Sequence, residues 1–244
     1  MKHRTLTVAI LALAPLAGCG EPASSSAATG QPNAGAPAPS GAPGTVSGVV
    51  IEQGAAIPRE FIERDDVGAV QDAIRFGADV NAAYEHANIT ALHLATSYNA
   101  VNSLPALLNA GADPNAPTKG WTPLMNCVAV SNRITLATML LDRGADPNHA
   151  NAGGHTALML AAHQGQADLL TLLLDRGADI HATNKYGATA LHEAAGNPHK
   201  GVDVVQLLLD RGADPHAVTK TGETPRDIAA SNSAGDPFIA LLPE

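Results

Sequence analysis

Cysteine, aromatic side chains and positive charge are all scarce in this chain of 244 residues, and each shortage removes a class of protein. Two cysteines, Cys19 and Cys127, cannot build the disulfide framework of a small secreted domain. Fourteen Lys and Arg against 23 Asp and Glu leave a formal net charge of −9. An acidic surface is repelled by phosphate backbones, so nucleic acid is excluded as the expected partner. The apolar run Leu6–Ala14 is too short to span a bilayer. No Gly-x-Ser-x-Gly elbow, phosphate loop or dinucleotide fingerprint is present, so the chemistries those motifs support have no basis here. The one Trp and three Tyr are few enough that their positions carry information.

What is present begins with a processing signal. Lys2, His3 and Arg4 precede the apolar run, and Leu16-Ala17-Gly18-Cys19 follows it. That order predicts a signal peptide over residues 1–18. Its last four positions resemble the lipobox of bacterial lipoproteins: an aliphatic residue, two small residues that suit a peptidase groove, and a cysteine whose thiol receives a diacylglycerol. The resemblance implies lipidation of Cys19 and a chain held on a membrane of the bacterial cell envelope. Each buried methylene contributes about 0.8 kcal/mol, so two or three acyl chains make such attachment effectively permanent. Gly20, standing where an Asp favours inner-membrane retention, points to the periplasmic face of the outer membrane. Cleavage removes Lys2 and Arg4 and leaves 12 basic against 23 acidic residues, a net charge of −11. Cys127 is then without a partner.

From Glu21 to about Gly48 the composition is almost wholly Pro, Ala, Gly and Ser. Such a segment has too little apolar surface to offset the entropy of ordering, so residues 19–54 are expected to form the lipidated cysteine and a disordered tether. As a coil of about 30 residues the tether spans on the order of 30 Å. Residues 55–244 are expected to fold, beginning near Ile57-Pro58.

That folded part is one unit copied in tandem. Gly-Ala-Asp occurs at Gly77, Gly111, Gly144, Gly177 and Gly212, in steps of 34, 33, 33 and 35 residues. A period of this size means a solenoid, in which each unit buries its apolar face only against its neighbours. A second signature recurs in step with the first: Thr90-Ala91-Leu92-His93, Thr122-Pro123-Leu124-Met125, Thr156-Ala157-Leu158-Met159, Thr189-Ala190-Leu191-His192 and Thr224-Pro225-Arg226-Asp227. Thr is a good N-cap, and Pro suits the next position because its missing N–H has no partner there anyway. A short helix with small residues (Ala161 and Ala162, Ala194 and Ala195) lets the next repeat approach closely. After a turn comes a leucine-rich helix such as Leu169, Leu170, Leu172, Leu173 and Leu174, ended by the glycine of Gly-Ala-Asp in the left-handed conformation. The aspartates sit at equivalent places in successive units, one repeat rise apart, so they close Asx turns and do not pair as catalytic carboxylates.

This pattern resembles the ankyrin repeat, and the resemblance covers residues 58–244. It implies an all-α solenoid of stacked helix-turn-helix units with hairpin-like loops projecting from one edge. Four full repeats are laid out at 87–119, 120–152, 153–186 and 187–221. A half unit precedes them, with Val67, Val70 and Ile74 on one helical face, and another follows from Gly222 to Leu242. Pro105 falls inside a second helix and is expected to delay its start. Arg226 replaces the usual leucine, and repeat four carries two extra residues around Gly196–Gly201.

The ten histidines contain no His-x-x-x-His pair, and the chain has no Cys-x-x-Cys, so neither a metal nor any other cofactor is assigned. His149, His155 and His181 are the loop-edge trio nearest to one. The resemblance makes His93 and His192 structural, their imidazoles bonding loop groups. Cys127 stands where other repeats have Ala161 and Ala194, which reads as a small buried filler. No catalytic residues are assigned and the chain is not expected to be an enzyme.

The resemblance also implies which positions meet a partner protein: those just before the capping Thr and those after the Ala-Ala of the first helix. These are Ile89 and Tyr98, Trp121, then His155, His163 and Gln164, and finally Lys185, Tyr186 and Asn197. Trp and Tyr bury much area with little side-chain entropy to lose, which favours them as anchors. The expected function is therefore a non-enzymatic, membrane-anchored protein–protein interaction module, its partner on the concave ankyrin surface. Two roles fit it: an inhibitor or immunity protein against an envelope toxin or hydrolase, and an accessory scaffold for an envelope enzyme.

Overall fold

A computed structural model describes residues 44–84, 89–130, 133–197, 202–232 and 237–242. The expected signal peptide, Cys19 and the tether as far as residue 43 lie outside the described residues, as does most of the Gly196–Gly201 insertion. Everything described falls in one compact unit, Ser40–Glu244.

Among the described residues, twelve helices follow one short hairpin. The hairpin is β1 (Gly44–Val46) and β2 (Val49–Ile51), antiparallel with Val46 opposite Val49. The helices come in pairs: α1 (Arg59–Glu63) and α2 (Val67–Arg75), α3 (Ala91–Tyr98) and α4 (Ser103–Asn109), α5 (Pro123–Ala129) and α6 (Ile134–Asp142). They continue with α7 (Ala157–Gln164) and α8 (Ala167–Asp175), α9 (Ala190–Ala195) and α10 (Val202–Asp210), α11 (Pro225–Asn232) and α12 (Pro237–Leu241). Odd-numbered helices stack on odd and even on even, making two layers. The terminal units are helix pairs too, each with one helix cut to five residues.

The Thr signature sets the helix starts. Thr122 and Thr156 are extended N-caps whose hydroxyls accept from the N–H of Met125 and Met159, at 3.3 and 3.4 Å. Where the motif ends in His, the imidazole joins the cap. Thr189 N donates to His192 Nδ1 at 3.1 Å, so Nε2 carries the proton and donates to the carbonyl of Glu223 at 3.2 Å. His93 makes the matching bond to the Trp121 carbonyl at 3.0 Å. Burial holds both imidazoles below the ordinary histidine pKa, against the opposing pull of those carbonyls. The structural role expected for the two histidines is therefore what the fold uses. In the last unit Asp227 takes their place, accepting from Thr224 N at 2.9 Å, and these bonds lower its pKa.

The second helices supply the bulk of the core. Leu104, Leu107, Leu136, Leu140, Leu170 and Leu173 are buried against Leu92, Leu124, Met125 and Leu158 of the first helices. Each such side chain contributes about 2 kcal/mol by leaving water. Pro105 lies in the first turn of α4, which has seven residues where α6, α8 and α10 have nine, the expected late start. Arg226 does not pack as the leucine it replaces: its Nη1 donates to the carbonyls of Ile239 and Leu242 and closes the end of α12.

One expectation needs correction. The tether was to run to about Gly48 and the fold to start at residue 55, yet residues 44–51 are folded. Composition misled because the alternation within it is what counts. Val46 and Ile51 are buried, and Ser47 and Gly48 make a two-residue turn with φ of 50° and 83°. The hairpin seats on the end of α2, so closely that a Cβ on Gly44 would stand 2.2 Å from the Phe76 ring.

The loops after each Gly-Ala-Asp are joined in a ladder. Each aspartate accepts from the N–H two residues on, at 2.8 or 2.9 Å, the expected Asx turn. Where the residue bearing that N–H is Asn, its side chain then reaches the next loop. Asn81 Nδ2 donates to Gly111 O (3.1 Å) while its Oδ1 accepts from Asp113 N (2.8 Å). Asn115 clamps Gly144 and Asp146, and Asn148 clamps Gly177 and Asp179, in the same way. At the first loop the backbone does this work: Gly54 N donates to Gly77 O and Asp79 N donates to Ala55 O.

Candidate functional site

The first helices and the hairpin turns form the face on which the expected partner positions fall. The turns close as Asn151 N to His155 O, Asn184 N to Ala188 O and Thr219 N to Glu223 O, at 2.9 or 3.0 Å, with a tighter Thr118–Trp121 pair before them. Neighbouring turns are bonded edge to edge, Lys185 N to Gly153 O and Lys220 N to Tyr186 O. Gly154 permits this contact: its φ is +79°, and a Cβ there would stand 2.7 Å from Lys185 N.

Ile89, Tyr98 and Trp121 are half-buried and pack on the core. Ile89 pairs with Tyr84. Tyr98 is already engaged, its hydroxyl accepting from Arg59 Nη2 at 2.7 Å with the guanidinium 5.8 Å above its ring. Trp121 exchanges backbone bonds with Thr118 and receives His93 on its carbonyl.

The other six positions belong to one region, around α7, α9 and the Asn184–Ala188 turn. Asn197 Nδ2 donates to the His163 carbonyl at 2.8 Å. Gln164 Oε1 accepts from Gln166 Nε2, which also holds the Val128 carbonyl. Lys185 and Tyr186 stand exposed on the turn, the ammonium 5.0 Å from the ring centroid. Tyr186 is 44% exposed, unusual for an aromatic side chain in so regular a stack.

His155 and His163 converge on a residue the sequence did not single out. Glu193, on α9, leaves 7% of its side chain exposed. Its Oε1 accepts from Asn184 Nδ2 at 3.0 Å and lies 3.4 Å from His155 Nε2; its Oε2 lies 3.6 Å from His163 Nδ1. Asn184 is fixed in this task because its Oδ1 accepts from the N–H of Tyr186 and Ala188. A signal for Glu193 was available: four residues after the capping Thr, the other units have Leu94, Asn126, Leu160 and Ile228. Asn126 is the other polar member of that set, and its amide is spent on Thr96, Ser97 and the His93 carbonyl.

Among the described residues no group of three His, Cys, Asp or Glu side chains is placed to hold a metal ion. His155 has turned to Glu193 and Asn184, away from any trio with His149 and His181. Cys127 is fully buried in α5, and burial raises its thiol pKa, the condition of an inert filler. No described helix is long and apolar enough to cross a membrane.

On the opposite layer three arginines tie each unit to the one before it. Arg143 donates to Asn109, Arg176 to Asp142 and Arg211 to Asp175, each reaching the preceding unit at 2.7 to 2.9 Å. Stacked helix pairs with a varied inner face are the architecture of a protein–protein interaction module. The family comparison agrees: three copies of the Ankyrin repeats model match residues 61–151, 129–219 and 158–242. The chain belongs to the ankyrin repeat family.

Proposed function

We propose that this protein is a lipid-anchored, non-enzymatic binding protein of the bacterial cell envelope. In this reading it holds a partner protein on the concave face of first helices and turns, at the periplasmic side of the outer membrane. One observation carries the placement of the partner. The arginines Arg176 and Arg211 of the outer layer are spent on aspartates of the preceding unit, whereas Lys185, Tyr186, His163 and Asn197 crowd one stretch of the inner face. A rigid stack of this kind loses little conformational entropy on binding, so modest contacts suffice. The anchor is read from Leu16-Ala17-Gly18-Cys19, and a membrane-tethered adaptor would need no catalytic cleft.

Two measurements test the proposal. Labelled palmitate should enter the full chain and be lost in Cys19→Ser; equal labelling of both removes the anchor. A photocrosslinking residue should capture one protein in intact cells from position 186 and none from position 206, an exposed site on α10. Equal capture from both positions, or none from either, ends the assignment of the face.

A further inference from the structure

Glu193 poses a question that packing does not answer. Leu94, Leu160 and Ile228 fill the same place in other units, so the helix stack has no need of a carboxylate there. Withdrawing a carboxylate from water is strongly unfavourable unless its oxygens are fully bonded. Among the described residues the hydrogen bond to this carboxylate goes to Oε1, from the Asn184 amide at 3.0 Å. Oε2 has His163 Nδ1 at 3.6 Å, beyond a hydrogen bond, and that ring nitrogen is itself buried and without a hydrogen-bond partner. The free molecule thus holds a buried ring nitrogen without a hydrogen bond beside a carboxylate oxygen whose one facing group is that imidazole, 3.6 Å away.

We propose that this pair is the anchor for an arginine side chain of the partner protein. The inference rests on the binding-face reading above and names the chemistry that face recognises. A guanidinium presents several N–H donors in one plane, and two of them match two acceptors a few ångströms apart. Arginine binding selects the tautomer with the ring proton on Nε2, in which His163 offers Nδ1 as the second acceptor beside Oε2. His163 is the most open member of the cluster, 25% exposed against 12% for His155 and 7% for Glu193, so entry is past its ring. The net charge of −9 draws a cationic group towards the molecule, and burial then strengthens the pair it forms. Asn184 keeps Oε1 occupied and leaves Oε2 as the recognition atom.

The probe is N-acetyl-L-arginine amide, titrated into the full chain while the Asn184 side-chain amide and His163 ring signals are followed by NMR. A saturable shift with a Kd of about 1–10 mM is expected, the scale open to one side chain. Glu193→Gln should weaken it at least about tenfold, as loss of a charge-assisted bond requires. Glu193→Leu restores the side chain of sibling units; it should abolish the shift while leaving the urea midpoint unchanged or raised. No saturable shift in the wild type overturns the inference, as does a shift that survives both substitutions. A lowered midpoint in Glu193→Leu overturns it as well, since the carboxylate would then be a structural tie. Failure here with crosslinking retained at position 186 removes the arginine anchor alone; failure of the crosslinking removes the binding face.

Discussion

The loop after Gly144 meets the loop after Gly177, and that loop meets the one after Gly212, through the same backbone bonds but different side-chain clamps. Both junctions have turn-to-turn backbone bonds and an outer Arg–Asp pair. The first also has Asn148 clamping Gly177 and Asp179. The second has His181 at the matching position, and among the described residues its ring makes no hydrogen bond to Gly212 or Asp214. A neutral imidazole has its donor and its acceptor on ring nitrogens whose directions diverge, so it does not span those two backbone groups as the Asn amide does. The C-terminal junction thus lacks the two Asn bonds of the middle one, and units at such an end open first.

The turn glycines give the largest test of this difference. Gly154→Ala meets Lys185 N at 2.7 Å and Asn184 Cα at 2.9 Å; Gly187→Ala meets Lys220 N at 3.0 Å and Thr219 at 3.3 Å. Strain from the left-handed backbone is shared, so Gly154→Ala should lose about 2–4 kcal/mol and Gly187→Ala about 1–3 kcal/mol. Urea midpoints that rank the other way would mean the turns are not the rigid contacts they look.

The clamp itself comes next. Asn148→Ala should lose about 1 kcal/mol for its two exposed bonds, and His181→Asn should gain up to about the same. Hydrogen exchange in α10 and α11 should slow in His181→Asn. If it does not, the missing clamp is not what sets the end's stability.

Acid sharpens the comparison further, because His192 ties α9 to the Thr219–Glu223 turn across the weaker junction. Above the ordinary value of 6.5 both the folded and unfolded chains keep His93 and His192 neutral. Below it the unfolded chain binds protons that the folded chain refuses, so stability falls as pH falls towards the lowered native values. The drop in urea midpoint between about pH 7.5 and about pH 5.5 should shrink in the His93→Gln, His192→Gln double variant. An unchanged drop assigns the acid sensitivity to other groups.

The smallest effect is expected at Cys127. Its siblings at that position are alanines, so Cys127→Ala should lose no more than about 1 kcal/mol. Thiol reagents should reach Cys127 only on unfolding; rapid labelling of the native protein would contradict its burial.

Most of the fold was legible because a repeat states its rules several times. Five copies of Gly-Ala-Asp and the Thr motif fixed helix starts, stops and the turns between them. Even the late start of α4 followed from Pro105. The β1–β2 hairpin was missed because a window dominated by Pro, Ala, Gly and Ser hid six residues with the right alternation. Of the candidate face, the sequence supplied the positions but not their state. Tyr98 bears on Arg59, and Glu193 lay one repeat away from the histidines it meets.

The sequence by itself determined the period, the pairing of helices and the backbone conformation of every Gly-Ala-Asp turn, since these are local matters of capping, φ angle and apolar spacing. Only the tertiary structure decided which polar atoms of one unit meet those of the next. Asn148 finds two backbone groups, His181 finds none, and Glu193 finds two imidazoles, because a contact between stacked units depends on their register and not on either unit's own pattern.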